Sequence, residues 1–117
     1  PGIPDKKIIY AMTRANYNRL MSSGIKIYEY TPGFIHSKYY ISDDNVAIIG
    51  TVNLDYRSLV HHFENGVVLI DKSTLNDMIA DFKQTCSVSS LVTQDKLKQS
   101  IAHRLVNLTL RAFSPLL

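Results

Sequence analysis

Short apolar segments rich in β-branched residues alternate with helical segments along this chain, and this alternation most constrains its fold. The strand-like segments are residues 8–12, 25–30, 34–41, 46–49 and 65–71. Two helical segments lie among them, one bearing Tyr17, Leu20 and Met21 and the other bearing Leu75, Met78, Ile79 and Phe82. Strands that alternate with helices in this way predict the α/β class.

Local signals predict where these elements begin and end. Thr13 is expected to cap the first helix, which ends at Gly24, a residue that readily adopts positive φ. Thr74 is expected to open the second helix with a capping box. Residues 42–45 read as a turn, and residues 46–49 lack alternation, which predicts a strand buried on both faces.

The length and composition predict one domain, residues 1–117. Hydrophobic residues make up 45% and charged residues 20% of the chain, as in ordinary globular proteins. The longest apolar run is much shorter than the roughly 20 residues of a membrane-spanning helix, and the N-terminus lacks the apolar stretch of a signal peptide. A single cysteine, Cys86, cannot form an intramolecular disulfide. We therefore expect a soluble domain without a transmembrane segment.

The net charge of +3 arises entirely in the tail of the chain. Residues 1–86 carry nine basic and nine acidic side chains, whereas residues 87–117 carry four basic and one acidic. A last helix is predicted from Thr93 or Gln94, with an apolar stripe of Leu97, Ile101, Leu105 and Leu108 and with Lys98, Arg104 and Arg111 outside it. We expect this stripe to pack on the domain, with an anionic lipid surface as the alternative partner.

The segment of residues 34–43 carries the first residues suited to chemistry. On a strand, His36 and Lys38 would lie on the same face, about 7 Å apart. A neutral imidazole can attack a phosphate or move a proton, and a lysine ammonium can neutralise the phosphoryl oxygens. The alternative is a core histidine beside an edge-strand lysine.

A second group of polar residues follows the apolar strand at residues 46–49. Thr51 and Asn53 can donate hydrogen bonds to phosphate oxygens, and Gly50 permits close backbone approach. Glu64, at the head of the next strand, can accept from the second nitrogen of a histidine and fix its tautomer. Taken singly, each could have only a structural role, but ligands of open α/β sheets bind beyond such strand ends.

Together these residues form a recognisable pattern. His36-x-Lys38-x4-Asp43, followed by Gly50-Thr51-x-Asn53 and Glu64, resembles the HKD signature of the phospholipase D superfamily. The segment of residues 53–58 and the last residues, 113–117, are similar to the C-terminal half of bacterial cardiolipin synthases. The resemblance implies a phospholipase D-like fold, with a mixed central β-sheet flanked by helices, as one half of a pseudo-twofold bilobal enzyme.

The resemblance also implies a reaction. In this family one motif histidine attacks phosphorus to give a phosphohistidine and a second motif histidine protonates the leaving alcohol, without a metal or other cofactor. For cardiolipin synthases, the phosphatidyl group of one phosphatidylglycerol passes to the hydroxyl of another, which yields cardiolipin and glycerol. The expected partners are therefore phosphatidylglycerol and anionic lipid at the bacterial cell membrane.

By the same resemblance, each motif residue has an expected role. His36 would be nucleophile or general acid/base, and Lys38, Thr51 and Asn53 would bind the phosphoryl oxygens. Glu64 would orient His36. Asp43 belongs to the signature, with a structural role in the turn.

The chain departs from the family pattern because it carries one motif and no membrane segment. We therefore expect a fragment of a longer two-motif chain, whose partner is the missing N-terminal half or a second copy of itself. The alternatives are a homodimeric single-motif phosphodiesterase or nuclease, a phospholipase D hydrolase with water as acceptor, and a non-catalytic binding piece. Nucleic acid is disfavoured, since residues 1–86 are neutral and a polyanion site needs several basic groups.

Overall fold

A computed structural model of the protein describes residues 1–97. The elements are α1 (Lys7–Ala15), α2 (Tyr17–Ser22), β1 (Tyr28–Tyr30), β2 (Tyr39–Ser42), β3 (Val46–Gly50), a π-helical turn (Arg57–His61), β4 (Gly66–Leu69), α3 (Lys72–Ser87), β5 (Ser89–Leu91) and a 3₁₀ turn (Gln94–Leu97). These helices and strands fit the predicted α/β class. The predicted last helix beyond Leu97 and the closing residues 113–117 lie outside the described residues.

The chain divides into two compact units. The first unit comprises residues 1–34 and the segment that begins at Ser89, and the second unit comprises residues 35–88. Within residues 1–97, none of the helices combines the length and the apolar character that crossing a membrane requires.

In the first unit, β1 pairs with β5 in antiparallel register, with Tyr28 opposite Leu91. Its core consists of Tyr17, Val92 and Leu97, with Met21 and Ile27 packed against them. Helix α2 ends before Gly24, whose φ of 86° confirms the predicted stop.

The predicted strand at residues 8–12 is wrong, because these residues lie in α1. A short apolar run does not by itself distinguish a strand from a helix. The contacts of α1 follow helical spacing: Thr13 Oγ1 donates to the carbonyl of Ile9, and the Arg14 guanidinium lies 5.5 Å from the ring centre of Tyr10. Thr13 is therefore an interior residue of α1 and not the predicted cap.

The second unit contains a three-stranded sheet of order β2-β3-β4, in which both pairs are antiparallel. The predicted mixed sheet is wrong for the described residues, since both pairs of this sheet and the β1–β5 pair of the first unit are antiparallel. The strand predicted at residues 65–71 is shorter than expected, and in this sheet it lies at an edge with β3 in the centre.

Strand β3 was expected to be buried on both faces, and the structure contradicts this. Ala47 is fully buried, but Ile48 is 42% and Ile49 is 43% exposed. The register places Tyr40, Ile48 and Val68 side by side on one face. Because successive side chains of a strand point to opposite faces, Ile48 and Ile49 show that both faces of β3 are partly uncovered, which apolar composition alone does not reveal.

Strand β2 begins at Tyr39, five residues later than predicted. His36 and Lys38 therefore precede the strand, where the Lys38 ammonium donates to the carbonyl of His36 at 2.7 Å. The predicted turn at residues 42–45 is confirmed: the Asn45 N–H donates to the Ser42 carbonyl at 3.0 Å. Asp43 and Asp44 have φ near +50°, as in a type I′ hairpin turn.

Helix α3 confirms the predicted second helix but begins two residues earlier than Thr74. Its N-cap is Asp71, whose carboxylate accepts from both the backbone N–H and the hydroxyl of Thr74 at 2.8 Å. These hydrogen bonds hold the pKa of Asp71 below its usual value, with the Thr74 N–H as the main cause.

The cap predicts an acid-sensitive helix. A folded-state pKa below the unfolded value gives stabilisation that is complete above the unfolded pKa and is lost as the pH falls through the folded one. We expect Asp71→Ala to lower the urea midpoint near pH 7, whereas Asp71→Asn keeps a cap that does not titrate. Urea unfolding followed by circular dichroism near pH 7 and near pH 3 measures the midpoints of the wild type and of both variants. Equal urea midpoints for Asp71→Ala and wild type near pH 7 would contradict the assigned cap.

Candidate active site

The antiparallel path of the second unit brings three chain segments to one end of its sheet. The Lys38 carbonyl accepts from the Gly50 N–H at 3.1 Å, and the Thr51 N–H donates to the Asn65 carbonyl at 2.9 Å. The start of β2, the end of β3 and the start of β4 therefore meet. Residues far apart in sequence, including Lys38, Thr51 and Glu64, gather at this sheet end.

His36 and Lys38 form a direct side-chain pair. The Lys38 Nζ lies 3.0 Å from the Nδ1 of His36, much closer than the spacing expected for a strand. The irregular backbone before β2 permits this approach, because it does not hold the two side chains apart as a strand would. The predicted pair is thus present with a different geometry.

The lysine contact decides which nitrogen of His36 carries the proton in this arrangement. A lysine ammonium has only hydrogens to offer, so Nδ1 accepts and the neutral ring is protonated at Nε2. To act as a general acid the ring must carry a second proton on Nδ1, with Lys38 withdrawn, so that transfer of the Nε2 proton to a leaving oxygen leaves a neutral imidazole. Attack by Nε2 requires the ring proton to be on Nδ1 instead. Lys38 must then withdraw from Nδ1, and another group must accept the hydrogen bond that Nδ1–H donates.

Thr51 and Glu64 are joined by a hydrogen bond, in which the threonine hydroxyl donates to the carboxylate. The Asn65 N–H donates to the same hydroxyl at 3.1 Å, and His62 Nδ1 lies 3.5 Å from Glu64 Oε1. Hydrogen bonds from Thr51, and next from Ser58, lower the pKa of Glu64, so this residue is a carboxylate at neutral pH. That Glu64 orients His36 stays a prediction.

Asn53 lies in a loop whose position is fixed by several contacts. The Tyr40 hydroxyl donates to the carbonyl of Val52 at 2.8 Å, which ties the loop to β2. The side-chain amide of Asn53 donates to the hydroxyl of Ser58 at 3.4 Å. The Ser58 N–H in turn donates to the carboxylate of Asp55 at 2.7 Å. The loop thus presents the amide of Asn53 from an ordered backbone.

Asp43 lies away from the other motif residues. It is in the turn at the opposite end of the β2–β3 hairpin, where its carboxylate accepts from the Ser42 hydroxyl at 3.0 Å. The four residue pairs of the hairpin separate it from the Lys38 end, a length of roughly 13 Å at the usual strand rise. That Asp43 has a structural role stays a prediction.

An open groove of about 310 Å³ adjoins two of the motif residues. Its polar lining includes Lys38 and Asn53, and its walls are mainly apolar or aromatic: Ile35, Tyr39, Tyr40, Leu54 and Phe82. Ser37 and Thr85 complete it. The ring of Phe82 meets that of Tyr39 edge-on at 6.5 Å. A ligand with an anionic group and an apolar part fits such a lining.

Two residues at this site were not among the sequence candidates, Ser58 and His62. Among the residues whose side chains the structure describes, Ser58 is the one polar residue that is buried, at 6% exposure, and its position in a π-helical turn has no sequence signature. His62 precedes Glu64 by two residues, a spacing that could have indicated it. In the described part of the chain, no cluster of three or more His, Cys, Asp or Glu side chains is arranged to hold a metal ion.

Comparison with known proteins gives the chain a family likeness. A family model described as "Cardiolipin synthase, PLD-like domain" matches residues 2–86. The whole chain is similar to an uncharacterized protein of Streptococcus mutans (47% identity) and to cardiolipin synthase 2 of Bacillus anthracis (39%). It is 37% identical to the cardiolipin synthase of a Geobacillus species.

The matched region is a small part of these relatives. The chain spans 26% of the Streptococcus mutans protein, 23% of the Bacillus anthracis protein and 24% of the Geobacillus protein, about a quarter of their length. No solved structure matches the chain.

Proposed function

Because the chain belongs to the phospholipase D-like cardiolipin synthase family, we propose that it supplies one catalytic motif of a bacterial phosphatidyltransferase. The proposed reaction makes cardiolipin and glycerol from two molecules of phosphatidylglycerol. The observation that supports the proposal is that the chain segments carrying the His36–Lys38 pair, Thr51, Asn53 and Glu64 come together at one end of one sheet.

The proposed chemistry has two steps. In the first, a histidine nitrogen attacks phosphorus, the bond from phosphorus to the glycerol oxygen breaks, and a second motif histidine protonates that oxygen. In the second, the hydroxyl of another phosphatidylglycerol attacks phosphorus, its proton passes to the second histidine, and the bond to nitrogen breaks. His36 takes one of these two histidine roles, and no net proton is gained or lost.

The neighbouring groups suit the charge that this reaction develops. The Lys38 ammonium adjoins the ring of His36, and so can neutralise the phosphoryl oxygens beside the reacting nitrogen. Thr51 and Asn53 add a hydroxyl and an amide. Glu64, a carboxylate with its pKa lowered by Thr51, can accept the Nδ1 proton when Lys38 turns to the phosphate.

The lining of the groove favours a lipid over a nucleic acid. Apolar and aromatic walls adjoin Lys38 and Asn53, as expected for a phosphodiester that carries an apolar body. A nuclease would need several cations along the strand, and residues 1–86 carry no net charge. We therefore propose that the site acts at an anionic lipid membrane.

A complete site requires a second motif. We propose that it comes from the remaining part of a longer polypeptide, because the chain matches only about a quarter of each relative. A second copy of the chain could supply it in the homodimeric alternative.

The test is a hybrid enzyme. Cardiolipin synthase 2 of Bacillus cereus, 39% identical to this chain over 118 residues, would have that matching region replaced by this chain. We expect the hybrid to form cardiolipin from phosphatidylglycerol vesicles, as followed by mass spectrometry. Phosphatidic acid as the main product would favour the hydrolase, and cleavage of added DNA would favour the nuclease. Cardiolipin formed by the chain alone, rising more steeply than linearly with its concentration, would favour the homodimer.

A further inference from the structure

Phe82 on α3 lines the groove beside the motif residues, and we infer that it determines specificity by binding the apolar part of a phosphodiester lipid. This specificity rests on the proposed function, because it concerns which phosphodiester the same site takes. Phe82 shares the groove with Lys38 and Asn53, the two motif residues in its lining. A lipid whose phosphate lies at these polar residues would place its acyl-bearing glycerol against the ring of Phe82.

The position of Phe82 on its helix is the first observation. Phe82 follows Leu75, Met78 and Ile79 at the spacing of one helix face. Leu75 is 1% exposed and Met78 and Ile79 are half-buried, whereas Phe82 is 52% exposed. The packed stripe of α3 therefore ends in an aromatic ring that is half uncovered and lines the groove.

Two contacts hold this part of α3 at the start of β2. The ring of Tyr39 meets that of Phe82 edge-on, with 6.5 Å between the ring centroids. The Tyr39 hydroxyl donates to Asp81 Oδ2 at 3.3 Å. Burial, and next the Asp81 carboxylate, raise the pKa of Tyr39, so its side chain carries no charge at neutral pH. Two uncharged rings thus form a fixed apolar wall directly after Lys38.

The charge of the groove indicates what lies against this wall. Among the described residues that line it, Lys38 is the one with a charged side chain. One ammonium suits one phosphodiester, whereas the further phosphates of a nucleic acid would meet apolar walls that offer no compensating charge. An acyl-bearing glycerol would instead cover Phe82 and Leu54, which is 80% exposed, and would remove their apolar surface from water.

The first experiment compares two soluble phosphodiesters that differ in their apolar part. Dihexanoyl-phosphatidylglycerol, kept below its micelle concentration, carries two short acyl chains, and glycerophosphoglycerol carries none. Short chains suffice, because a groove of about 310 Å³ lies at the lower end of small-molecule sites. NMR titration of the full chain should show tighter binding of the lipid. Equal binding of the two compounds, or binding of neither, overturns the inference.

Phe82→Ala should remove most of this preference. We expect it to weaken binding of dihexanoyl-phosphatidylglycerol about threefold to thirtyfold and to leave binding of glycerophosphoglycerol unchanged, since only apolar contact is lost. Phe82→Leu, which keeps an apolar side chain, should retain most of the preference. Phe63→Ala is the matched control, because Phe63 is fully exposed and is not among the described residues that line the groove. Equal weakening of both compounds in Phe82→Ala, or of neither, contradicts the role of Phe82.

Leu54→Ala keeps the inference testable if Phe82→Ala fails to fold. The side chain of Leu54 is another apolar part of the lining, and its high exposure means that its removal should affect the fold little. We expect weaker binding of the lipid with unchanged binding of glycerophosphoglycerol. A folded Leu54→Ala chain with the wild-type preference would then count against recognition of the apolar part by this groove.

The kinetics of the hybrid enzyme separate this specificity from the proposed function. With dihexanoyl-phosphatidylglycerol as substrate, Phe82→Ala should raise KM about threefold to thirtyfold with little change in kcat, because the apolar contact is the same in the ground state and the transition state. Unchanged kinetics in Phe82→Ala would contradict the inference. A hybrid that forms no cardiolipin would count against the proposed function alone, because the binding titration reports on Phe82 without catalysis.

Discussion

His36→Ala is expected to reduce cardiolipin formation by the hybrid roughly 10²–10⁴-fold, whichever histidine role His36 takes. As nucleophile it would form the bond to phosphorus, and as general acid it would protonate the leaving glycerol oxygen. Neither alanine nor water at that position supplies a ring nitrogen that can bond to phosphorus or transfer that proton. The initial rate of cardiolipin formation, measured by mass spectrometry, tests the expectation.

His61→Ala is the matched control for this variant. His61 lies in the same unit and is exposed, and its ring meets that of Tyr56 edge-on at 5.3 Å. Its removal should leave the rate near that of the unchanged hybrid. If the His36→Ala hybrid formed cardiolipin at the same rate as the His61→Ala hybrid, His36 would take no part in the reaction.

Gly50→Ala should disrupt the site through the backbone. A Cβ at Gly50 would overlap the carbonyl oxygen of Asn65 and lie 2.8 Å from the Cα of Gly66. These are backbone atoms of the adjacent β4 segment, so only a displacement of the strand could relieve the overlap. We expect a loss of about 1–3 kcal/mol in the free energy of unfolding, together with loss of the contacts between Thr51 and Glu64.

Gly33→Ala provides the comparison for Gly50, since within residues 1–97 a Cβ at Gly33 would have no atom within 4 Å apart from those of its chain neighbours. Urea unfolding followed by circular dichroism gives the free energies of both variants. Gly50→Ala with the stability and the activity of Gly33→Ala would show that the close approach of β3 and β4 is not required.

The motif residues could be identified from sequence because their chemistry is visible in their identities. A histidine, a lysine, small hydroxyl and amide residues, and a carboxylate at the next strand head predicted a phosphate site without any geometry. The turn before β3, the stop at Gly24 and the helix α3 were also predicted, since each depends on local backbone preferences. These preferences act over a few residues, so that the residue types at those positions suffice to predict them.

The remaining features depend on tertiary contacts. The apolar run at residues 8–12 forms a helix, since a short apolar run does not distinguish a helix from a strand. Ile48 on the central strand is exposed, because the packing around the sheet and not the composition of the strand decides which faces are covered. The contact between His36 and Lys38 arises in irregular backbone, where no periodicity applies. Ser58 was overlooked for a similar reason: its burial depends on a π-helical turn that follows no sequence rule.

The central claim, transfer of a phosphatidyl group with the participation of this chain, is tested most directly by following labelled glycerol. The hybrid would be supplied with phosphatidylglycerol that carries deuterium in its head-group glycerol. We predict one labelled glycerol released for each cardiolipin formed, with one labelled glycerol retained between the two phosphates of the product. Release of labelled glycerol with phosphatidic acid and without cardiolipin would contradict the account.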